Sequence, residues 1–359
     1  MTSVATSKSS DILIADRRIG AGHPCFIIAE IGVNHNGDVD TALAMIDAIA
    51  AAGADCVKFQ TFNTEEFCKD ATETYEYISQ GKVVKESMFS MFKRLELEYG
   101  EFAKLFERAR QLGLIALSTP TDIPAVDLLE SLGAPAFKIG SDDLVHTPFI
   151  EYVARKQRPM IISTGMASMD DVDRAVNTIR QTGNEQIILL HCVSEYPAPL
   201  ENLNLRKITT LGERFDIPVG FSDHSEGVIG AGAAVAIGAC VLEKHFTLDR
   251  GMAGPDHRFS ADPQVLKSLV THVRDVEQSL GQPSFVPTKG EVEMAALARR
   301  SIVAAHDLHV GHVIARDDLS YRRPGTGLMP YETSRIVGLR TNKTILAGQQ
   351  ISGNDLDKS

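Results

Sequence analysis

The sequence predicts an α/β fold, a (β/α)8 barrel followed by a small β-rich domain. Three observations carry this. Eight short apolar runs rich in β-branched residues recur along the first 250 residues, with stretches of helical periodicity between most of them. Nearly every run ends in a polar residue, which is where a barrel collects its chemistry. The spacing of roughly 20 to 30 residues per unit fits a barrel of about 250 residues. A doubly wound open sheet has similar ingredients but would gather polar residues at one switch point.

In chain order, the runs are CFIIAEIG from Cys25, DCVKFQ from Asp55, LIALSTP from Leu114, AFKIGS from Ala136, MIISTGM from Met160, IILLHC from Ile187, PVGFSDH from Pro218 and VLEKHF from Val241. Helical patterns fill Val39 to Ala52, Ile123 to Leu132, Met169 to Thr182 and Gly227 to Gly238. The gap from Phe62 to Gly113 is too long for one helix. Its polar, Tyr-rich tract before Met88 reads as a mobile loop leading into an amphipathic helix. Residues 1–20 read as a frayed leader, since MTSVATSKSS has no apolar stretch behind its lysine. The barrel is expected over 21–282, its last helix capped by Asp262 with Pro263 in the first turn. Residues 283–299, with GQPSFVPTKGE, read as a linker, and 300–359 as the small β-rich domain.

Composition narrows the function. Hydrophobic residues make up 43% and charged residues 23% of 359, so the chain can bury a core. With 36 basic against 47 acidic residues and a net charge of −11, no broad basic face for nucleic acid is expected. A small anionic ligand needs only a few local cations and stays allowed. The longest apolar run, Val228 to Leu242, is too short to span a bilayer, so no membrane partner is expected. Five scattered cysteines without a CxxC pair point to reduced thiols and a cytoplasmic location.

Three constellations sit at the strand ends. His224 and His245 end neighbouring runs, which suits a divalent metal whose shell is completed by oxygen from water or substrate; rim hydrogen bonding is the plainer alternative. Lys58 and Lys138 lie inside apolar strands, near the hydroxyls of Thr119, Ser141 and Ser222. Such lysines need either internal partners, with Glu30 and Glu243 available, or an anionic ligand such as phosphate or carboxylate. Glu30 ends CFIIAE and is placed for acid–base work or for capping the next helix. Asp256, in a Gly/Pro loop, has no capping duty and is a substrate-contact candidate; Arg322 and Arg323 precede a tight turn in the small domain.

Taken in order, FIIAEIGVNHNG, CVKFQT, STP, FKIGS, STGM, HCVSEYP, FSDHS, LEKHFT, GPDH and RRPGTG resemble the sialic acid (nonulosonic acid) synthase family over nearly the whole chain. The resemblance implies a phosphoenolpyruvate-condensing barrel with a C-terminal antifreeze-like (SAF) domain. It further implies condensation of phosphoenolpyruvate with an N-acylated mannosamine-type aldehyde, with C–O cleavage and release of phosphate. His224 and His245 would hold the metal, Mn²⁺ first, with Mg²⁺ or Co²⁺ as alternatives. Lys58, Thr119, Lys138, Ser141, Ser194 and Ser222 would form the phosphoenolpyruvate pocket, and Gln60, Tyr196, Asp256 and Arg323 would approach the sugar. Glu30 would act near the aldehyde oxygen. A homodimer is implied, with Arg323 reaching the other subunit's barrel.

Two departures bear on the substrate. KIGSDD replaces the KIGSGE of many bacterial members, so Asp142 and Asp143 supply a shorter carboxylate, with Asp143 taken as the sugar contact. Ser194 replaces an Asn of some members. EYPAP and GPDH look more like the branch making legionaminic acid from 2,4-diacetamido-2,4,6-trideoxymannose. N-acetylmannosamine and the altrose isomer used for pseudaminic acid also stay open. Two other readings are a synthase acting on a phosphorylated sugar, which needs cations not in surplus here, and a non-catalytic carbohydrate-binding protein.

Overall fold

A computed structural model describes residues 11–68 and 72–357. The chain divides at Gly281/Gln282 into two compact units.

The first unit opens with strands β1 (Ile12–Ile14) and β2 (Arg17–Ile19), paired antiparallel. The expected frayed leader is therefore corrected from residue 11 onward; residues 1–10 lie outside the described residues. The reason is local: Ile12, Ile14 and Ile19 alternate with exposed positions, and Ala15 turns the chain at φ 53°.

Eight parallel strands follow. They are β3 (Phe26–Gly32), β4 (Cys56–Thr61), then, beyond the hairpin strands β5 (Thr74–Ser79) and β6 (Lys82–Ser87), β7 (Ile115–Pro120), β8 (Phe137–Ile139), β9 (Met160–Ser163), β10 (Ile187–Cys192), β11 (Val219–Asp223) and β12 (Val241–His245). Their order in the sheet is β7-β4-β3-β12-β11-β10-β9-β8, and β7 packs beside β8, closing the barrel. Helices α1 (Val39–Ala52), α4 (Phe102–Gln111), α5 (Ile123–Ser131), α6 (Thr147–Ala154), α7 (Met169–Gln181), α8 (Lys207–Phe215), α9 (Ile229–Ala236) and α10 (Pro263–Leu280) form the outer ring, while the short helices α2 (Thr64–Phe67) and α3 (Met88–Leu95) belong to the insertion after β4. Asp262 caps α10 by accepting from the Val265 amide, as the sequence predicts.

Strand periodicity divides the barrel interior in two. Phe26, Ile28, Cys56, Leu117, Ala136, Ile161, Ile188 and Val241 pack against the β1–β2 isoleucines and plug the amino-terminal end. Two residues further along the same faces, and two again, stand Glu30, Lys58, Thr119, Lys138, Ser163, Cys192, Glu243 and His245. The amino end is thus apolar and the carboxyl end polar.

The insertion differs from expectation. The Tyr-rich tract is the hairpin β5–β6, turning at Gln80 and Gly81, both at positive φ, with Tyr75 and Tyr77 rings 5.9 Å apart. It alternates side chains as a strand must, so it is built rather than loose. Phe62, Phe67 and Phe92 form a ring cluster with centroids 5.0 to 6.1 Å apart beneath it.

In the second unit, the segment read as a linker holds a helix, α11 (Lys289–Ala298), because Thr288 and Glu291 form a reciprocal cap at its start. Strands β13 (Ser301–Ala304) and β14 (Leu319–Arg322) pair antiparallel, with α12 (Thr333–Ile336) following. The core contains Ile302, Leu308, Ile314, Ile345 and Ile351.

Candidate active site

A cavity of about 530 Å³ opens at the carboxyl ends of the barrel strands. That is ample for a small-molecule site.

Its floor is a buried cluster of two lysines and two glutamates. Lys58 Nζ donates to Glu30 Oε1 at 2.5 Å and to Thr119 Oγ1 at 2.9 Å, and lies 3.7 Å from Glu243 Oε2. Lys138 Nζ donates to Ser163 Oγ at 2.7 Å and to the Ile139 carbonyl at 2.9 Å, with Glu243 Oε1 at 3.7 Å. Glu243 Oε1 accepts from Ser222 Oγ at 2.9 Å, whereas Oε2 has no hydrogen-bond partner. The internal-partner reading of the lysines is therefore correct as far as it goes. An ammonium carries three donors, and each lysine here uses two, so each keeps one for a ligand.

Charge states follow from this packing. Burial alone would raise the Glu30 carboxyl, but Lys58 and His245 outweigh it and hold it well below the usual carboxylate range. Burial lowers Lys58, yet Glu243 and Glu30 more than compensate. Lys138, with weaker compensation, is lowered by burial.

Beside the floor stand the two imidazoles, ring centroids 5.5 Å apart. His224 Nδ1 donates to the Val193 carbonyl at 2.8 Å, which leaves Nε2 as the free lone pair. His245 Nε2 is 3.7 Å from Glu30 Oε2, and its buried Nδ1 has no partner. Among the described residues no group of three or more His, Cys, Asp or Glu is arranged to hold a metal. An orphaned buried imidazole nitrogen beside a second imidazole suits an ion taking two protein nitrogens and completing its shell with oxygen. It does not suit a closed four-ligand zinc site.

Two glycines make the approach possible. Gly32 sits at φ 55° where the β3 register shifts after Glu30, a conformation that penalises a Cβ. At Gly165 a Cβ would fall 2.4 Å from Ser194 Oγ and 2.7 Å from Ser141 Oγ, so the glycine lets both hydroxyls converge.

Gln60 donates to Glu30 Oε1 at 3.1 Å, and the Tyr196 ring lies 4.2 Å from that of His224 and 5.1 Å from that of Phe259. Glu30, Lys58, Gln60, Thr119, Lys138, Ser141, Ser194, Tyr196, Ser222, His224, His245 and Asp256 all line the cavity. Two expected residues do not. Asp143 begins the short turn Asp143–Val145, and its neighbour Asp142 takes the lining position. Arg323 belongs to the second unit. Sequence reasoning missed Thr121, whose buried hydroxyl has no partner, and Cys192, whose Sγ is 3.8 Å from His224 Nδ1. It also missed an apolar wall from the insertion, including Phe62, Met88, Met91 and Phe92. The polar strand end was a signal for the cysteine; the wall had none until its hairpin was recognised.

Burial, and then the Asp142 carboxylate, push Asp143 up to about 7. The native state thus binds this proton more tightly than the unfolded chain, and stability falls as pH rises from the ordinary aspartate value of 3.8 toward 7. Asp143→Asn should melt above wild type at pH 8 and level with it near pH 4, by calorimetry at both values.

A model of the NeuB family matches residues 45–284, and a SAF domain model matches residues 299–357. The N,N'-diacetyllegionaminic acid synthase of Legionella pneumophila is 42% identical over 333 residues, spanning 92% of this chain and 94% of its own length. The human N-acetylneuraminate-9-phosphate synthase is 37% identical over 339 residues, 93% of each. The solved sialic acid synthetase of Leptospira borgpetersenii, in complex with citrate, superimposes with TM-score 0.73 at 36% identity, covering 80% of this chain and 95% of that one.

Proposed function

Because the chain belongs to the NeuB family and carries a SAF domain behind its barrel, we propose that it condenses phosphoenolpyruvate with an N-acylated mannosamine-type aldehyde, giving a nonulosonic acid and inorganic phosphate. One observation carries this reading: two buried lysines, each with a donor to spare, share a barrel mouth with two imidazoles and an ionised glutamate.

In this reading Lys58 and Lys138 bind the phosphate and carboxylate of phosphoenolpyruvate, assisted by Thr119, Ser141, Ser194 and Ser222. The methylene carbon bonds to the sugar aldehyde carbon, water adds to the neighbouring carbon, and the C–O bond to phosphate breaks. His224 and His245 would hold a divalent metal, Mn²⁺ first, which when bound supplies Lewis acidity toward the sugar's carbonyl oxygen. Glu30 Oε1 is engaged by Lys58 and Gln60, so Oε2 is the oxygen free to face the substrate, and its low proton affinity keeps Glu30 ionised, able to accept a hydrogen bond and to stabilise positive charge at the start of the cycle. Tyr196 and Asp256 flank the sugar. Arg323 would come from a partner copy in a homodimer, and the exposed Phe285, Val286, Val292, Met294 and Leu297 are the apolar surface such a partner would cover. Among the described residues no helix is long and apolar enough to cross a membrane, and the five unpaired buried cysteines favour the reducing cytoplasm.

The acceptor is inferred from the cavity wall. Lys58 and Lys138 are the only lysines or arginines among the described lining residues, which disfavours a phosphorylated sugar. The Phe and Met side chains of the insertion favour a sugar with a methyl at C6 and a second acetamido group. Phosphate release with phosphoenolpyruvate plus N-acetylmannosamine or 2,4-diacetamido-2,4,6-trideoxymannose, with and without chelator, tests this. The expected result is release that needs both substrates, is lost with chelator, and prefers the trideoxy sugar about tenfold in kcat/KM. Equal kcat/KM for the two sugars would overturn the acceptor assignment.

A further inference from the structure

The two imidazoles are bracketed by a buried ion pair on the opposite faces of their strands. Asp223 and Lys244 stand directly opposite each other in the parallel register of β11 and β12. Each immediately precedes a histidine, and since side chains alternate, each faces the helical layer while its histidine faces the cavity. Both are buried, and Lys244 Nζ donates to Asp223 Oδ2 at 2.8 Å.

The pair also grips the residue on the far side of His224. Asp223 Oδ1 accepts from the Ser225 amide at 2.9 Å and from Ser225 Oγ at 2.6 Å, while Lys244 Nζ donates to the Ser225 carbonyl. Gly230 of α9 presses on the same knot, for a Cβ there would lie 3.0 Å from Ser225 Oγ and 3.5 Å from Asp223 Oδ1. His224 is thus tethered through both chain neighbours, and one of those tethers is the residue preceding His245.

We propose that Asp223, Lys244 and Ser225 are positioning residues that fix the spacing of His224 and His245, and through it the affinity of the two-imidazole site for a divalent cation. A buried ion pair is weak evidence for stability, because well-packed uncharged residues of similar volume often serve as well. Its value here is geometric. Register between these strands decides which side chains meet in the cavity, and groups that orient ligands commonly change metal affinity or activity 10- to 100-fold.

The test uses the whole chain carrying Asp223→Asn with Lys244→Met, which removes both charges and leaves no unpaired ion. Mn²⁺ binding to the metal-free protein, measured by calorimetry, is expected to weaken about 10- to 100-fold with melting temperature held within a few degrees. The kinetic arm rests on the proposed condensation: kcat should fall while the KM for phosphoenolpyruvate stays within about twofold. Mn²⁺ affinity within twofold of wild type in the folded variant overturns the proposal whatever the kinetics give. Weakened Mn²⁺ binding supports it even if no sugar is ever turned over, a result that would count against the condensation reading instead. Should the double variant fail to fold, Ser225→Ala removes one tether without touching a charge; a several-fold loss of Mn²⁺ affinity supports the proposal, and unchanged affinity overturns it.

Discussion

Replacing His245 with alanine is expected to lower phosphate release by about a hundred- to a thousandfold while the protein stays folded. The size of the loss follows from the role proposed for it: an imidazole that would help hold a charge-stabilising group is worth as much as the group's contribution to the transition state, commonly two to three orders of magnitude. Survival of the fold follows from the packing. His245 Nδ1 is buried without a hydrogen-bond partner, which is a cost the native state carries, and the side chain lines a cavity rather than filling the core. Phosphate release under steady-state conditions, with a melting curve beside it, checks both halves. Turnover near wild type in a folded, metal-supplemented His245→Ala protein would remove the imidazole pair from the mechanism.

The second large effect is at Lys58. Lys58→Met should cut kcat/KM for phosphoenolpyruvate by about a thousandfold and destabilise the protein by about 3–5 kcal/mol at neutral pH, because it strands the Glu30 carboxylate in a buried site. The sign with pH is fixed. In wild type Glu30 lies below its unfolded value, so its stabilising contribution is full above the ordinary glutamate value of 4.5 and is lost as pH falls toward the folded value. Without Lys58, burial dominates and raises the carboxyl, so the variant's deficit shrinks as pH drops from 8 toward 5 and Glu30 takes up a proton. Adding Glu30→Gln should restore most of the stability and none of the activity. Denaturant melts at pH 5 and 8 with kinetics on both variants separate the structural part of the lysine from the substrate-binding part proposed for it.

The eight barrel strands are legible because each is a short apolar run, and the periodicity of two carries a polar residue to each mouth. Most of the cavity lining was therefore readable one strand at a time. Pairing was not. Nothing local tells Lys138 that Glu243, 105 positions on, will stand 3.7 Å away, or that Glu30 rather than Glu243 will take the short contact with Lys58. Those choices are set by strand order and barrel closure. Asp143 and Asp142 could not be told apart because a single short turn decides which carboxylate faces inward. Composition misled at the hairpin β5–β6, where tyrosines and charges on alternating positions resemble a solvated loop until the Gln80–Gly81 turn is recognised. It misled again at α11, which is apolar on its surface and has no buried residue to announce it.

The reaction proposed for this cavity joins phosphoenolpyruvate to an N-acyl amino sugar with cleavage of the C–O bond. Mass spectrometry of a reaction containing phosphoenolpyruvate labelled with ¹⁸O at the bridging oxygen, the trideoxy sugar and Mn²⁺ tests it most directly. The expected products are a nine-carbon-backbone acid without the label and inorganic phosphate carrying it. Label retained in the sugar product, or phosphate released with no condensed product, would contradict it.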